Sequence, residues 1–320
     1  MNMAVALTAV LLAGFVLAPR IAQEFDRHPL VMIGELHRWA ELHAFLRELA
    51  RDPAFICRVD DVVVEFGNSR LQEIADAWGA GANMSEAKLQ TMWRETAVPL
   101  TWNSPLYRQF YETIREVNRN RVCPRPVRIV LGDGPLDWSR IKTASDFAPW
   151  GDRDSAIAAT IEREVLAKHH RAFVLAGLAH AVKRGAPDGP STAELIERRD
   201  PGAVFSIVPL RTAADAESVQ MGPPPSLAWI QGSGFEQADF RLVWKGEPER
   251  KWPPMGEVAD ALLYVGAQQT LVYPDPSIYL EPAYQKELRR RAAIIKEYSG
   301  QDFAAAIDAL VDDARRVRSR

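Results

Sequence analysis

Leu30-Val31-Met32-Ile33-Gly34-Glu35-Leu36-His37 sets the plan of the molecule. A short apolar run of this kind suits a buried strand, and the glycine closes it where ionisable side chains begin. Three later stretches repeat the plan. Val62-Val63-Val64 runs into Glu65-Phe66-Gly67, Val127 to Leu131 into Gly132-Asp133-Gly134, and Ala172 to Ala176 into Gly177-Leu178-Ala179-His180. A fifth run spans Ala203 to Val208. Helical patterns lie between them: Leu42, Phe45, Leu46 and Leu49 share one face, and Ile157, Ile161 and Val165 another. Ser69 is expected to cap the helix after the second run, and Asp152 or Asp154 the one after the third. This alternation predicts an α/β fold with a mostly parallel central sheet flanked by helices.

The pattern has one interruption and one tail. Residues of about 85–120 read as a helical insertion, broken by Pro99 and by Thr101 to Pro105. Its aromatics, Trp93, Trp102, Tyr107, Phe110 and Tyr111, suit core packing or a lid. After Pro209 come proline-rich loops, a short strand at Ala261 to Val265, a second candidate at Thr270 to Tyr273, and two charged helices near Glu281 to Tyr298 and Asp302 to Arg318. We read 21–320 as one domain, with its core at 21–209 and an elaboration at 210–320.

The chain has 320 residues, 47% of them hydrophobic and 25% charged, a mix that excludes wholesale disorder. A net charge of -3 gives no electrostatic footprint for nucleic acid. Residues 1–20 are a separate segment. Met3 to Ala18 is apolar apart from Thr8, too short for a membrane span of about 20 residues and suited to the apolar core of a signal peptide. No Lys or Arg precedes the run, and Pro19 follows the small residues at the expected cut. Export, periplasmic or extracellular, is the expectation, with the cytoplasm as the alternative. Cys57 and Cys123 each precede an apolar strand. If those strands are parallel neighbours, the cysteines share one end of the sheet, where they are either a disulfide or two buried thiols.

In open parallel sheets, ligands bind beyond the carboxyl ends of the strands. Glu35, His37, Glu65, Asp133 and His180 all fall there. Singly, Asp133 makes a turn between glycines and Glu65 caps a helix; jointly they make a candidate site. Two chemistries fit. Histidines and a carboxylate, here His37, Glu65 and His180, can hold a divalent metal with an open position for water. Without metal, a histidine takes a proton from water, a carboxylate orients it, and other polar groups stabilise the oxyanion. His43 lies six residues beyond His37 and either supports the site, as a partner or ligand, or packs against the sheet. Arg70 is a candidate for binding an acidic substrate or the oxyanion. No GxSxG elbow signals a serine nucleophile.

These residues carry a resemblance. Gly34-Glu35-Leu36-His37 with His43 resembles the GExH...H opening of ChaN-like proteins, and Ala176-Gly177-Leu178-Ala179-His180 with Gly185-Ala186-Pro187 resembles their AGxxHxxxxGxP segment. Glu65 matches a carboxylate of the wider group, which includes erythromycin esterases and the TraB and Tiki proteins. The resemblance covers roughly Ile21 to Pro209. It implies different functions by branch: a hydrolase whose histidine activates water without metal, a metal-dependent peptidase, or a haem-binding lipoprotein. The chain departs from each. His37 follows Glu35 by two where the esterase motif has a longer gap, and the first cysteine, Cys57, is too late for a lipidated one. Gly67-Asn68-Ser69-Arg70 and Trp102-Asn103-Ser104-Pro105 lie outside the ChaN pattern and mark a different branch.

Three functions follow as expectations. The first is a hydrolase of an ester or amide in a small-molecule or peptide substrate. The second is a haem or tetrapyrrole binder, with histidine or tyrosine as axial ligand. The third is a non-catalytic scaffold that binds a partner through the insertion.

Overall fold

The computed structural model describes residues 17–186, 189–244 and 252–318. Seven strands form one sheet: β1 (Leu30–Glu35), β2 (Asp61–Asn68), β3 (Arg128–Asp133), β4 (Ala172–Gly177), β5 (Val204–Pro209), β6 (Ser226–Trp229) and β7 (Ala261–Tyr264). Their order is β3-β2-β4-β1-β5-β7-β6, parallel throughout except for β6, which pairs antiparallel with β7. The α/β architecture is the one the sequence predicts. Parallel strands are covered on both faces, which is why the apolar runs are continuous.

Side chains still alternate along each strand. Val31, Ile33, Val62, Val64, Ile129, Leu131, Phe173 and Leu175 enter one core. Leu30, Met32, Val63, Val130, Ala172 and Val174 enter another on the opposite face. The first face is covered by α1 (Ala40–Arg51) and by the insertion, whose helices are α2 (Glu86–Arg94) and α3 (Pro105–Arg119). The second is covered by α4 (Arg153–Glu164), α5 (Leu178–Ala181) and α6 (Thr192–Arg199). Two helices finish the chain, α7 (Pro282–Ser299) and α8 (Ala304–Arg318).

Several expectations need correction. Ser69 caps nothing: the Asn68 side chain accepts from Arg70 N–H and starts a short 3-10 turn instead. Asn68 is fully buried and its amide also donates to the Glu95 and Leu136 carbonyls, so it fixes the exit of β2 from both sides. Asp152, not Asp154, caps α4. Thr270 to Tyr273 is not a strand; only Leu271 bridges, to Trp39. The added antiparallel strand is β6, whose alternation is hidden by its short length and proline-rich approach. Ser85 and Ser104 cap α2 and α3, so the insertion breaks where the prolines say it should.

Cys57 and Cys123 form a disulfide at the amino ends of the neighbouring strands β2 and β3. Of the apolar N-terminal segment, only Leu17 and Ala18 fall among the described residues, in a buried helical turn over 17–22; the remainder of the expected export segment lies outside them. Among the described residues no helix is long and apolar enough to cross a membrane.

Candidate active site

Strand parity decides where each carboxylate goes. Glu35 follows Val31 and Ile33 and points to the α1 and α3 face. Glu65 follows Val63 and points to the α4 face. Both are about 1% exposed at the side chain, so each must find partners within the protein.

Glu35 finds three. His37 Nδ1 donates to its Oε1 at 2.8 Å, His43 Nε2 to its Oε2 at 2.7 Å, and the Tyr107 hydroxyl to Oε1 at 3.1 Å. His43 is thus a buried partner of Glu35, and its Nδ1 meets no polar atom. Burial would raise the Glu35 pKa, but the two histidines outweigh it and hold the group at about 2. Tyr107 accepts from Arg38 N–H at 3.2 Å, an amide aimed at it because Arg38 adopts a left-handed backbone with φ 68°. Burial and the nearby carboxylates push the Tyr107 hydroxyl well above its usual pKa, so it remains a donor.

Glu65 finds a second set. Its Oε1 accepts from Arg153 Nη2 at 2.7 Å and lies 3.2 Å from His180 Nε2, and its Oε2 accepts from Gly177 N–H. His180 Nδ1 sits 2.7 Å from Asp154 Oδ1, an oxygen that Thr192 holds through its amide and hydroxyl. Burial opposes protonation of His180, yet Glu65 and Asp154 together raise its pKa to about 10. It is therefore an imidazolium at neutral pH. Burial alone would raise Glu65, but His180 and Arg153 hold it well below the usual carboxylate range. Arg153 reaches Asp133 as well, Nε to Oδ1 at 3.4 Å, and Asp133 also accepts from the Ala97 and Gly134 amides.

The two sets meet over Gly177. A Cβ there would lie 2.8 Å from His37 Cε1 and 3.1 Å from Glu65 Oε2. The His37 ring thus lies over Gly177, its Nε2 3.3 Å from where that Cβ would sit, with Trp102 packed edge-on against the ring at 4.8 Å. Its side chain is 40% exposed, and it borders a cleft of about 430 Å³ with Glu35, Glu65, Arg153 and His180. Partial desolvation lowers the His37 pKa, but Glu35 and then Glu65 bring it above 6.5.

Five expected residues, Glu35, His37, His43, Glu65 and His180, are thus brought together, with Asp133 joined through Arg153. Arg70 is not. It is exposed, donating to the Leu136 carbonyl at 3.3 Å and facing Asp137 at 4.0 Å. The arginine that pairs with Glu65 is Arg153, which the sequence reading missed along with Tyr107, Trp102 and Asp154 as site residues. One signal for Arg153 was available. A cation in the first turn of a helix opposes the dipole, and it sits directly after the Asp152 cap.

His37, Glu65 and His180 do not fit a divalent metal. Among the described residues no group of three or more His, Cys, Asp or Glu side chains converges as a metal site. Arg153 already presses a guanidinium against Glu65 and Asp133, and His180 directs both ring nitrogens at carboxylates. Nothing in the lining of the cleft singles out haem, for two carboxylates, a guanidinium and an imidazolium border it.

No protein-family model matches the chain, and no curated protein does. Solved structures do. The chain is similar to erythromycin esterase EreC, seen as a histidine-to-asparagine mutant in an open conformation, with TM-score 0.54 and 12% identity over 80% of this chain and 94% of that one. It is similar to a succinoglycan biosynthesis protein, with TM-score 0.52 and 9% identity over 77% and 90% of the two chains. A protein from Bacillus cereus matches with TM-score 0.50 and 10% identity over 80% and 99%. At these identities the likeness is one of fold: the chain shares its α/β architecture with these structures, an erythromycin esterase among them.

Proposed function

We propose that the chain is a metal-independent hydrolase of an ester or amide, with His37 as its general base. The observation that carries this reading is the Glu35–His37 pair: the carboxylate takes the Nδ1 hydrogen and leaves Nε2 free at the cleft. That arrangement fixes the tautomer and raises the basicity of the ring. The fold shared with an erythromycin esterase supports it.

His37 Nε2 removes a proton from water, and the hydroxide attacks the carbonyl carbon. The carbonyl π pair moves to oxygen, and the oxyanion rests against Arg153 and His180, both cationic and both bordering the cleft. Collapse re-forms the carbonyl and expels the alcohol or amine, which takes the proton from His37. Arg153 Nη1, the nitrogen not taken by Asp133 or Glu65, lies 3.5 Å from His180 Nε2, so the two cationic groups stand side by side for the oxyanion.

His37→Ala is expected to lower kcat/KM on activated esters by about 10² to 10⁴-fold, the usual worth of a positioned base. His180→Ala should also impair turnover, while circular dichroism reports an intact fold. Full activity in both variants would remove the assignment. The Cys57–Cys123 disulfide supports placing the protein in an oxidising compartment, which fractionation of cells expressing the full chain would test.

A further inference from the structure

Strand β5 also delivers a side chain to the cleft. It ends at Pro209, and Arg211, two residues on, lines the same space as His37 and His180. The other charges there are matched: Glu35 by His37 and His43, and Glu65 by Arg153 and His180. Arg211 is different. Its Nε is buried without a hydrogen-bond partner, and among the described residues it makes no ion pair. Burial lowers its pKa, and the carboxylate acting against this is that of Asp215, which accepts from the Thr212 hydroxyl at 2.6 Å.

The backbone holding Arg211 is fixed. Gln269 Nε2 donates to the Arg211 carbonyl at 2.8 Å, and the same loop receives the Trp39 indole N–H on the Gln268 carbonyl at 2.8 Å. Trp39, Trp244, Leu178 and Leu271 complete the wall. Leu271 is 48% exposed, a large apolar side chain left at the rim. A cleft with one unmatched guanidinium and an apolar wall is complementary to a ligand with an anionic head and an apolar body.

We propose that Arg211 is a specificity residue that binds an anionic oxygen group of the substrate, a carboxylate or a phosphate, while the apolar wall takes the flanking group. The inference deepens the hydrolase reading by naming the class of substrate, and it rests on that reading only for which bond is cleaved.

The test uses uncleavable ligands, so that a failed hydrolase assay does not decide it. Benzylsuccinate and benzylphosphonate are titrated by calorimetry into the full chain and into Arg211→Ala and Arg211→Lys, with the neutral diol 2-benzyl-1,4-butanediol as the control. At least one anion should bind more tightly than the diol and lose about tenfold or more in affinity in Arg211→Ala, with Arg211→Lys intermediate. The anion that shows this dependence identifies the head group. Equal affinity in all three proteins, no preference over the diol, or no binding of either anion would overturn the proposal. Arg211→Lys keeps the test open if Arg211→Ala fails to fold.

Discussion

Glu35 and Glu65 are the same side chain in the same kind of place, yet their surroundings assign them different work. Glu35 is enclosed by two histidines and a tyrosine hydroxyl, whereas Glu65 is enclosed by a guanidinium, an imidazolium and a backbone amide. In the proposed reaction the first arrangement makes a base of His37, and the second makes a cationic wall. Because Glu35 holds the His37 pKa above 6.5, kcat/KM is expected to rise with pH through an inflection above that value, where the ring becomes neutral. Glu35→Gln should move the inflection down; a profile that falls over the same range would contradict the role of base. Stability follows the same residues. His180, raised from 6.5 to about 10, contributes stability that is whole below pH 6.5 and is lost as pH climbs through about 10. Glu35, lowered from 4.5 to about 2, contributes stability that is whole above pH 4.5 and is lost as pH falls through about 2. Urea midpoints measured across pH should show both arms. His180→Gln should flatten the alkaline one, and an unaltered alkaline arm would mean that His180 is not charged in the folded chain.

At the scale of elements, the site is an accident-proof consequence of strand parity. Val31, Ile33 and Glu35 share a face, so the carboxylate meets α1 and α3; Val63 and Glu65 share the other, so it meets α4. Strand β4 runs between β1 and β2, and its last residue, Gly177, is where the two sets touch. A methyl group at that position would push on His37 and Glu65 together. Gly177→Ala is therefore expected to reduce kcat/KM on the order of 10²-fold, since small misplacements of a reacting group are costly. Its melting temperature should change far less than its activity; an active variant would show that His37 and Glu65 need not approach so closely. The insertion earns its place in the same way. Trp102 supports His37, Asn103 Nδ2 donates to the Tyr284 hydroxyl on α7 at 2.8 Å, and Ser104 caps α3, which carries Tyr107.

Across the whole molecule, distant segments are tied back to the core around the site. Arg291 of α7 is buried and donates to the Arg94 carbonyl at the end of α2 and to the Glu95 carboxylate. The loop at Gln268 to Leu271 is bonded to Trp39 and to the start of α1. At the other end of the sheet the disulfide links the approaches to β2 and β3 across a separation of 66 residues. Closing a loop of that length restricts the unfolded chain by about 4 kcal/mol. Replacing both cysteines by serine should lower the unfolding free energy by an amount of that order, read from urea denaturation, and leave ester turnover intact because the site lies at the opposite end. A variant as stable as the parent would show that the unfolded chain gains nothing from release.

The sequence by itself determined the strands, their carboxyl ends and the ionisable residues placed there, because burial on both faces forces continuous apolar runs and ligands gather where those runs stop. It also carried the disulfide pair as an option and the resemblance that implied the fold. Only the tertiary structure decided which carboxylate serves which histidine, since that depends on strand order and on the face each side chain takes. Strand order brought β4 between β1 and β2, and parity sent Glu35 and Glu65 to opposite faces. Arg153, Tyr107, Trp102 and Arg211 entered the site from a helix start, an insertion and a loop whose contacts span long separations in the chain. No local pattern records such contacts, and for the same reason Arg70, close in sequence to Glu65, was carried away by the turn that Asn68 caps.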